Sequence, residues 1–283
     1  MNGGTPVDSN TQYALMKQWG INCVRICCVL DADPLYDSTY LAQLDEAVNG
    51  ALANGMYVML TLMSGEGNVI WSNGPCTWYQ SFTWNDWANW WAFVANRYSG
   101  KGLIYDTLNE PVSWNLADHQ TRMNNLISSI RSYDPSSIIM LEEVDWSCNW
   151  MQSYPVTGSN LVYSFHLYAD ETGGGNDQVS IETYFGYYGV TWLNQHGYCV
   201  VFGEYGGDSN GGNTGSGGTY GGMYSTFSLT WIQNFLTVCN ADRYAGYDAY
   251  NWGLGTLTMP LITDWYGNPS PSGTVVRSYY LSH

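Results

Sequence analysis

Residues 103–111 read Leu103-Ile104-Tyr105-Asp106-Thr107-Leu108-Asn109-Glu110-Pro111, and the chain is organised around them. Leu103–Leu108 has the apolar, β-prone make-up of a strand buried on both faces. Asn109-Glu110-Pro111 ends it, because proline has no N–H to give to a sheet. A carboxylate beside an amide is thereby left at the carboxyl end of a buried strand. In a β/α barrel that is where catalytic groups sit.

The surrounding sequence repeats one theme. Ser9 and Asn10 cap a helix that Gly20 ends; Asn22–Cys27 is a strand with Arg25 inside it. Ser38 opens an amphipathic helix closed by Gly55, and Met56–Leu62 is a buried strand. A helix over Asn85–Tyr98 precedes the opening stretch and another over Asp118–Ser132 follows it. Strands are expected at Ser137–Leu141, Leu161–Phe165, Tyr198–Phe202 and Gly246–Tyr250. Helices are expected at Ile181–His196, Tyr224–Cys239 and Thr274–Leu281.

Strand alternates with helix, and the crossovers are of helix length. The expectation is an α/β fold, a (β/α)8 TIM barrel formed by a single domain over residues 1–283. Seven strands follow the first helix. The eighth, first in the chain, is short or missing, because the residues before Ser9, MNGGTPVD, make a poor strand. An open doubly wound sheet is the alternative, but no glycine-rich phosphate fingerprint follows any strand.

Composition excludes several functions. Charged residues make up 11% of the chain, against an ordinary share of about 25%. The 24 acids and 8 bases give a net charge of -16, and Lys17 and Lys101 are the only lysines. Such a surface repels nucleic acid and anionic membrane. No apolar run is long enough to cross a membrane. The polar segment Met1–Asn10 lacks the apolar core of a secretory leader, so a leader is expected to have been removed or to precede this sequence.

The chain holds 14 Trp and 24 Tyr. Trp71, Trp78, Trp146 and Trp150 fall in loops after strands, where stacked rings suit a flat sugar chain; a large aromatic core is the plainer reading. Seven cysteines leave at least one unpaired. Cys76 and Cys148 lie in those Trp-bearing loops, which predicts a disulfide between them. Cys23, Cys27 and Cys28 lie on or beside one strand and are expected as buried thiols. No cysteine or histidine pattern has metal-ligand spacing, so neither metal nor cofactor is expected.

Polar residues recur at the ends of successive strands: Arg25, Asn109 with Glu110, His166 with Tyr168, Glu204, and Trp252. Read singly, each has a plainer meaning. Arg25 and Glu204 could be buried ion pairs, His166 a satisfied core histidine, Trp252 core. Glu142 and Glu143 also end a strand and read as a solvated loop edge.

The stretches GINCVRI, TLNEP, SFHLY, VFGEYGG and YNWG, in that order over residues 20–253, resemble glycoside hydrolase family 5 of the clan of retaining β/α-barrel glycosidases. The resemblance implies Glu110 as acid/base and Glu204 as nucleophile. It implies Asn109 at the sugar 2-hydroxyl, and Arg25 and Tyr168 hydrogen-bonding the nucleophile or its neighbours. His166 would orient the acid/base or a substrate hydroxyl, and Trp252 would be the floor for the sugar ring. The family's usual histidine after the third strand is absent, since Leu62-Met63-Ser64 stands there.

The implied activity is a cellulase-like, endo-acting β-1,4-glucanase, with β-mannanase or xylanase of the same clan as the alternative. A non-catalytic carbohydrate-binding barrel is a further reading, which the presence of both carboxylates opposes. The expected partner is a polysaccharide or oligosaccharide, and the expected state a monomer. Uncharged Ser, Thr, Asn, Gly and Tyr replace the missing charges, which suits a secreted enzyme of an acidic habitat, since few bases leave little positive charge to accumulate at low pH; an ordinary secreted fungal-style or bacterial glycosidase of low charge is the equal alternative.

Overall fold

A computed structural model describes residues 9–29, 38–63, 84–111, 116–143, 147, 156–209, 218–254 and 259–283. Trp71, Trp78, Trp146, Trp150, Cys76 and Cys148 lie outside them, so the loop stacking and the disulfide concern residues not described. The elements follow as α1 (Ser9–Gln18), β1 (Cys23–Val29), α2 (Ser38–Ala53), β2 (Tyr57–Met63), α3 (Trp84–Tyr98), β3 (Ile104–Asp106), α4 (Leu116–Arg131), β4 (Ile138–Glu142), β5 (Leu161–Tyr168), α5 (Gln178–Tyr187), α6 (Val190–Gln195), β6 (Val200–Gly206), α7 (Thr226–Asp242), β7 (Gly246–Ala249) and α8 (Pro271–Ser282). The seven strands form one sheet in chain order, β1 to β7. The first described strand is β1, and residues 1–8, where an earlier one was sought, are not among those described.

The chain divides into two compact units. One comprises Cys23–Phe165 and His196–Cys199; the other comprises Met1–Asn22, His166–Gln195 and Val200–His283.

In the first unit β1 to β4 pair in parallel, with Arg25 opposite Met59, Thr61 opposite Asp106 and Asp106 opposite Met140. Strand β2 is buried on both faces over Val58–Leu62, so the sequence there carries a continuous apolar run instead of alternation. Val58, Leu60 and Leu62 of β2 are fully buried. Helix α3 contributes Trp87, Trp90 and Trp91 to the same core, and the Trp91 indole donates to the Thr107 carbonyl at 2.9 Å. These tryptophans serve packing, the plainer of the two readings of the aromatic content. Cys28 is buried as expected, whereas Cys27 is exposed.

In the second unit β6 pairs in parallel with β7. An aromatic stack fills the core between α5, β6 and α7: Phe185 on Phe202 (4.8 Å), and Tyr205 and Trp231 on Phe235 (4.8 and 4.9 Å). The single helix expected over Ile181–His196 is two, because Gly189 takes φ 80° between α5 and α6. Helix α8 starts earlier than expected, with Ser270 accepting from the Gly273 N–H and Pro271 in the first turn. Gly273 is obligatory there, since a Cβ would lie 1.8 Å from the Leu261 carbonyl oxygen.

Candidate active site

The first unit holds Arg25, Asn109 and Glu110. Arg25 sits mid-strand in β1 with its side chain 6% exposed, so its charge needs partners in place of water. Asp106, fully buried, accepts from Arg25 Nε at 2.8 Å and from Nη2 at 2.6 Å, both on Oδ2. The same Nη2 reaches Glu142 Oε1 at 2.7 Å, Asn109 Oδ1 at 2.8 Å and Thr61 Oγ1 at 3.1 Å. Arg25 thus fixes the amide of Asn109 and sits among carboxylates of β3 and β4.

Glu142 corrects the sequence reading. It is fully buried at the last position of β4, and its neighbour Glu143 is 1% exposed; neither is a solvated loop edge. Glu142 Oε2 accepts the backbone N–H of Glu110 at 2.6 Å. Glu143 lies 3.4 Å from Nε2 of His119, whose imidazole is buried. Burial lowers the His119 pKa to about 4, so this contact joins a carboxylate to a neutral ring near neutral pH. Burial first, and the Glu142 charge second, raise Asp106 to about 7 against the pull of Arg25. Asp106 Oδ1 is buried and has no hydrogen-bond partner among the described residues.

Glu110 itself is half-buried and takes φ 45°, the left-handed region that non-glycine residues seldom enter. Its neighbours are pinned: the Asn109 N–H donates to Leu62 O at 2.9 Å, and Thr107 N–H to Met140 O at 3.1 Å. Strand β3 ends at Asp106, short of the expected Leu108, and the remaining residues run on as an anchored turn.

The second unit holds His166, Tyr168, Glu204 and Trp252. Glu204 is 5% exposed and lies inside β6, which continues to Gly206 instead of stopping at Phe202. The register with β7 shifts between Phe202 and Tyr205, which oppose Tyr247 and Ala249. Three steps on β6 therefore match two on β7, a bulge that re-aims the side chain of its strand. The Tyr168 hydroxyl donates to Glu204 Oε2 at 2.5 Å, and His166 Nδ1 is 3.7 Å from the same oxygen.

Tyr168 is set from two sides. Its N–H donates to Glu171 Oε2 at 2.8 Å, and its ring packs with Met223 and Met259. Gly206 lets the ring approach, since a Cβ would meet Met259 Sδ at 2.8 Å and Tyr168 Cδ1 at 3.2 Å. Trp252 is half-buried after β7, edge-on to Trp19 at 4.8 Å, and donates Nε1–H to Gln12 Oε1 at 2.9 Å.

Tyr168 therefore hydrogen-bonds the expected nucleophile, while Arg25 is engaged by Asp106, Glu142 and Asn109. Sequence reasoning missed Asp106 and Glu142. The signal was available: an arginine inside a buried strand requires carboxylates from neighbouring strands.

A family model described as "Cellulase (glycosyl hydrolase family 5)" matches residues 2–273. An "Endo-beta-1,4-glucanase A" of Emericella nidulans is 26% identical over 243 residues, 74% of this chain and 70% of that one. An "Endoglucanase N" of Pectobacterium atrosepticum is 25% identical over 258 residues, 89% of this chain but 50% of its own length. A β-glucanase of Saccharophagus degradans, solved in complex with cellotetraose, superposes with a TM-score of 0.76 at 18% identity, covering 96% of this chain and 82% of that one. The fold is accordingly the β/α barrel.

Proposed function

Because the chain belongs to glycosyl hydrolase family 5, we propose that it is a retaining, endo-acting β-1,4-glucanase, with Glu204 as nucleophile and Glu110 as acid/base. The observation that carries the assignment is the Tyr168 hydroxyl on Glu204 Oε2, at 2.5 Å. A hydrogen bond donated to one carboxylate oxygen fixes the orientation that a nucleophile needs.

The chemistry runs in two displacements. Glu110, protonated, gives its proton to the leaving glycosidic oxygen while Glu204 attacks the anomeric carbon. Glu110, now a carboxylate, then takes a proton from the water that displaces Glu204, and the two inversions restore the anomer. Retaining enzymes of this type place their carboxyl groups ~5–5.5 Å apart. Asn109, held by Arg25, would present its amide to the sugar 2-hydroxyl, and Trp252 would carry the ring. His166, close to Glu204 Oε2, would orient a substrate hydroxyl or the acid/base.

The relatives' names favour glucan over mannan or xylan. Loss of viscosity of carboxymethyl cellulose before much reducing sugar appears is the expected result, with lower rates on mannan and xylan; faster mannan or xylan cleavage would overturn the preference. A 2-fluoro cellobioside should label Glu204, because fluorine slows breakdown of the glycosyl-enzyme. A label elsewhere, or an inverted first product, would refute the mechanism.

The chain is further proposed to act as one catalytic domain, as a monomer, and as a secreted enzyme of an acidic habitat. One calorimetric transition, a monomer mass by light scattering, and an activity optimum below neutral pH are the corresponding results.

A further inference from the structure

We propose that Glu142 is a positioning residue for the acid/base, holding the backbone N–H of Glu110 so that its carboxyl is aimed at the leaving oxygen. The inference rests on the assignment of Glu110 above.

Glu142 spans two groups. Oε1 takes Arg25 Nη2 at 2.7 Å, and Oε2 takes the Glu110 N–H at 2.6 Å. A counter-ion role for Arg25 does not by itself account for it. Asp106 already balances that guanidinium through two bonds, at 2.8 and 2.6 Å. A second buried carboxylate makes the cluster one charge too negative, and the excess shows on Asp106, which Glu142 helps to push up toward neutrality. Burying an extra carboxylate is unfavourable, so a return is to be sought in what else it touches.

That contact is Glu110, the one residue of the turn whose backbone is left-handed, at φ 45°. Such a conformation is unfavourable for a residue with a side chain and persists only where its surroundings over-determine it. The anchors are arranged to do so: Leu62 O on the Asn109 N–H, Arg25 on the Asn109 amide, and Glu142 on the Glu110 N–H. The direction of the Glu110 side chain follows from this backbone. Arg25 and Glu142 together tie the amide of Asn109 and the acid/base into one rigid bracket across β1, β3 and β4.

The test separates positioning from plain structure by leaving group. A mis-aimed acid matters for a sugar leaving group, which needs protonation, and little for dinitrophenolate, which does not. The kcat/KM values for cellopentaose and for 2,4-dinitrophenyl β-cellobioside report the first displacement in each case. Glu142→Met removes both acceptors at similar length, and Glu142→Gln keeps one acceptor oxygen. Expected is a loss of about 100-fold on cellopentaose for Glu142→Met, within the range of general acid catalysis, against less than about 10-fold on the aryl glycoside. Glu142→Gln should fall between wild type and Glu142→Met on cellopentaose. Equal losses on the two substrates, or no loss on either, would overturn the inference. Should Glu142→Met fail to fold by circular dichroism, the ratio of the two losses in Glu142→Gln decides: above about threefold supports positioning, and unity rejects it. Glu110→Ala, measured alongside, keeps the two readings apart. If it lacks the leaving-group selectivity, the assignment of Glu110 fails; if it has the selectivity and the Glu142 variants do not, only the role of Glu142 fails.

Discussion

The two carboxylates are held in opposite ways. Glu110 is fixed through its backbone: its N–H is on Glu142, its φ is left-handed, and the preceding amide is gripped by Arg25. Glu204 sits in a strand, on a bulge, and is fixed through its own carboxylate by the Tyr168 hydroxyl. The surroundings of Glu110 are charged and buried, whereas Glu204 accepts from a neutral hydroxyl. An acid that must both give and take a proton gains from a backbone anchor that aims its carboxyl. A nucleophile gains from a carboxylate whose orientation a neighbouring donor fixes. The contrast implies that damage to the Arg25 cluster falls on stability as well as on rate, and damage at Tyr168 mainly on rate.

The largest expected effect separates the roles outright. Glu204→Ala should lose about 10⁴-fold or more on every substrate, because no covalent intermediate can form. Azide should restore it on an aryl cellobioside by a single displacement, giving the α-glycosyl azide. Glu110→Ala should retain formation of the intermediate on the aryl substrate, and azide should give the β-product. Identical azide products from both variants would abolish the distinction between the two residues.

Next comes Arg25→Met, which tests the claim about stability. It leaves Asp106 and Glu142 buried without their guanidinium, and removing one partner of a buried ion pair costs about 3–5 kcal/mol. For a domain of this size that corresponds to a fall in melting temperature of about 6–20 °C. A melting temperature within a degree or two of wild type would show that the cluster is not what holds this half-site.

Tyr168→Phe is the counterpart in the second unit. It removes one charge-assisted hydrogen bond, worth about 1.5–3 kcal/mol, so kcat should drop about 10- to 100-fold. Because the ring keeps its packing on Met223 and Met259, the melting temperature should move little. A large loss of stability with unchanged kcat would reverse the assignment of rate to this side.

The same contrast explains what could be read from the sequence. Strand ends carrying Asn109-Glu110, His166, Tyr168 and Glu204 stood out because polar residues inside apolar runs break a one-letter pattern. The β/α succession was legible for the same reason, through buried runs separated by helix-length crossovers. Asp106 escaped inside a run taken as apolar throughout, and Glu142 because it looks like an ordinary acid at the edge of a strand. Only the three-dimensional neighbourhood of Arg25 shows that both face it. The bulge at Glu204 and the left-handed φ of Glu110 had no residue-level signature, since neither position is glycine. The break between α5 and α6 did have one, Gly189, inside a pattern that otherwise reads as continuous helix.

The smallest expected effect lies in how stability varies with pH, and it bears on the proposed acidic habitat. His119 and Asp106 pull in opposite directions. His119 faces Glu143, Arg122 and the Glu142 backbone, and burial lowers its pKa to about 4 from an ordinary 6.5. Between those values the unfolded chain binds the proton and the folded chain does not, so stability falls as pH drops from about 6.5 to 4. Asp106 faces Arg25, Thr61 and Glu142, and its pKa rises from 3.8 to about 7. Between those values the folded chain binds the proton and the unfolded chain does not, so stability rises as pH drops through that window. Each slope is at most about 1.4 kcal/mol per pH unit for one proton, and over the shared window they largely offset. His119→Gln should remove the unfavourable slope, so its melting temperature should climb relative to wild type as pH falls from 6.5 to 4. Asp106→Asn should do the reverse, losing ground relative to wild type over the same descent. Melting curves for the three proteins at half-unit pH steps would check this. Parallel curves would mean that neither buried group titrates differently in the folded and unfolded chains, and that tolerance of acid rests on the scarcity of bases alone.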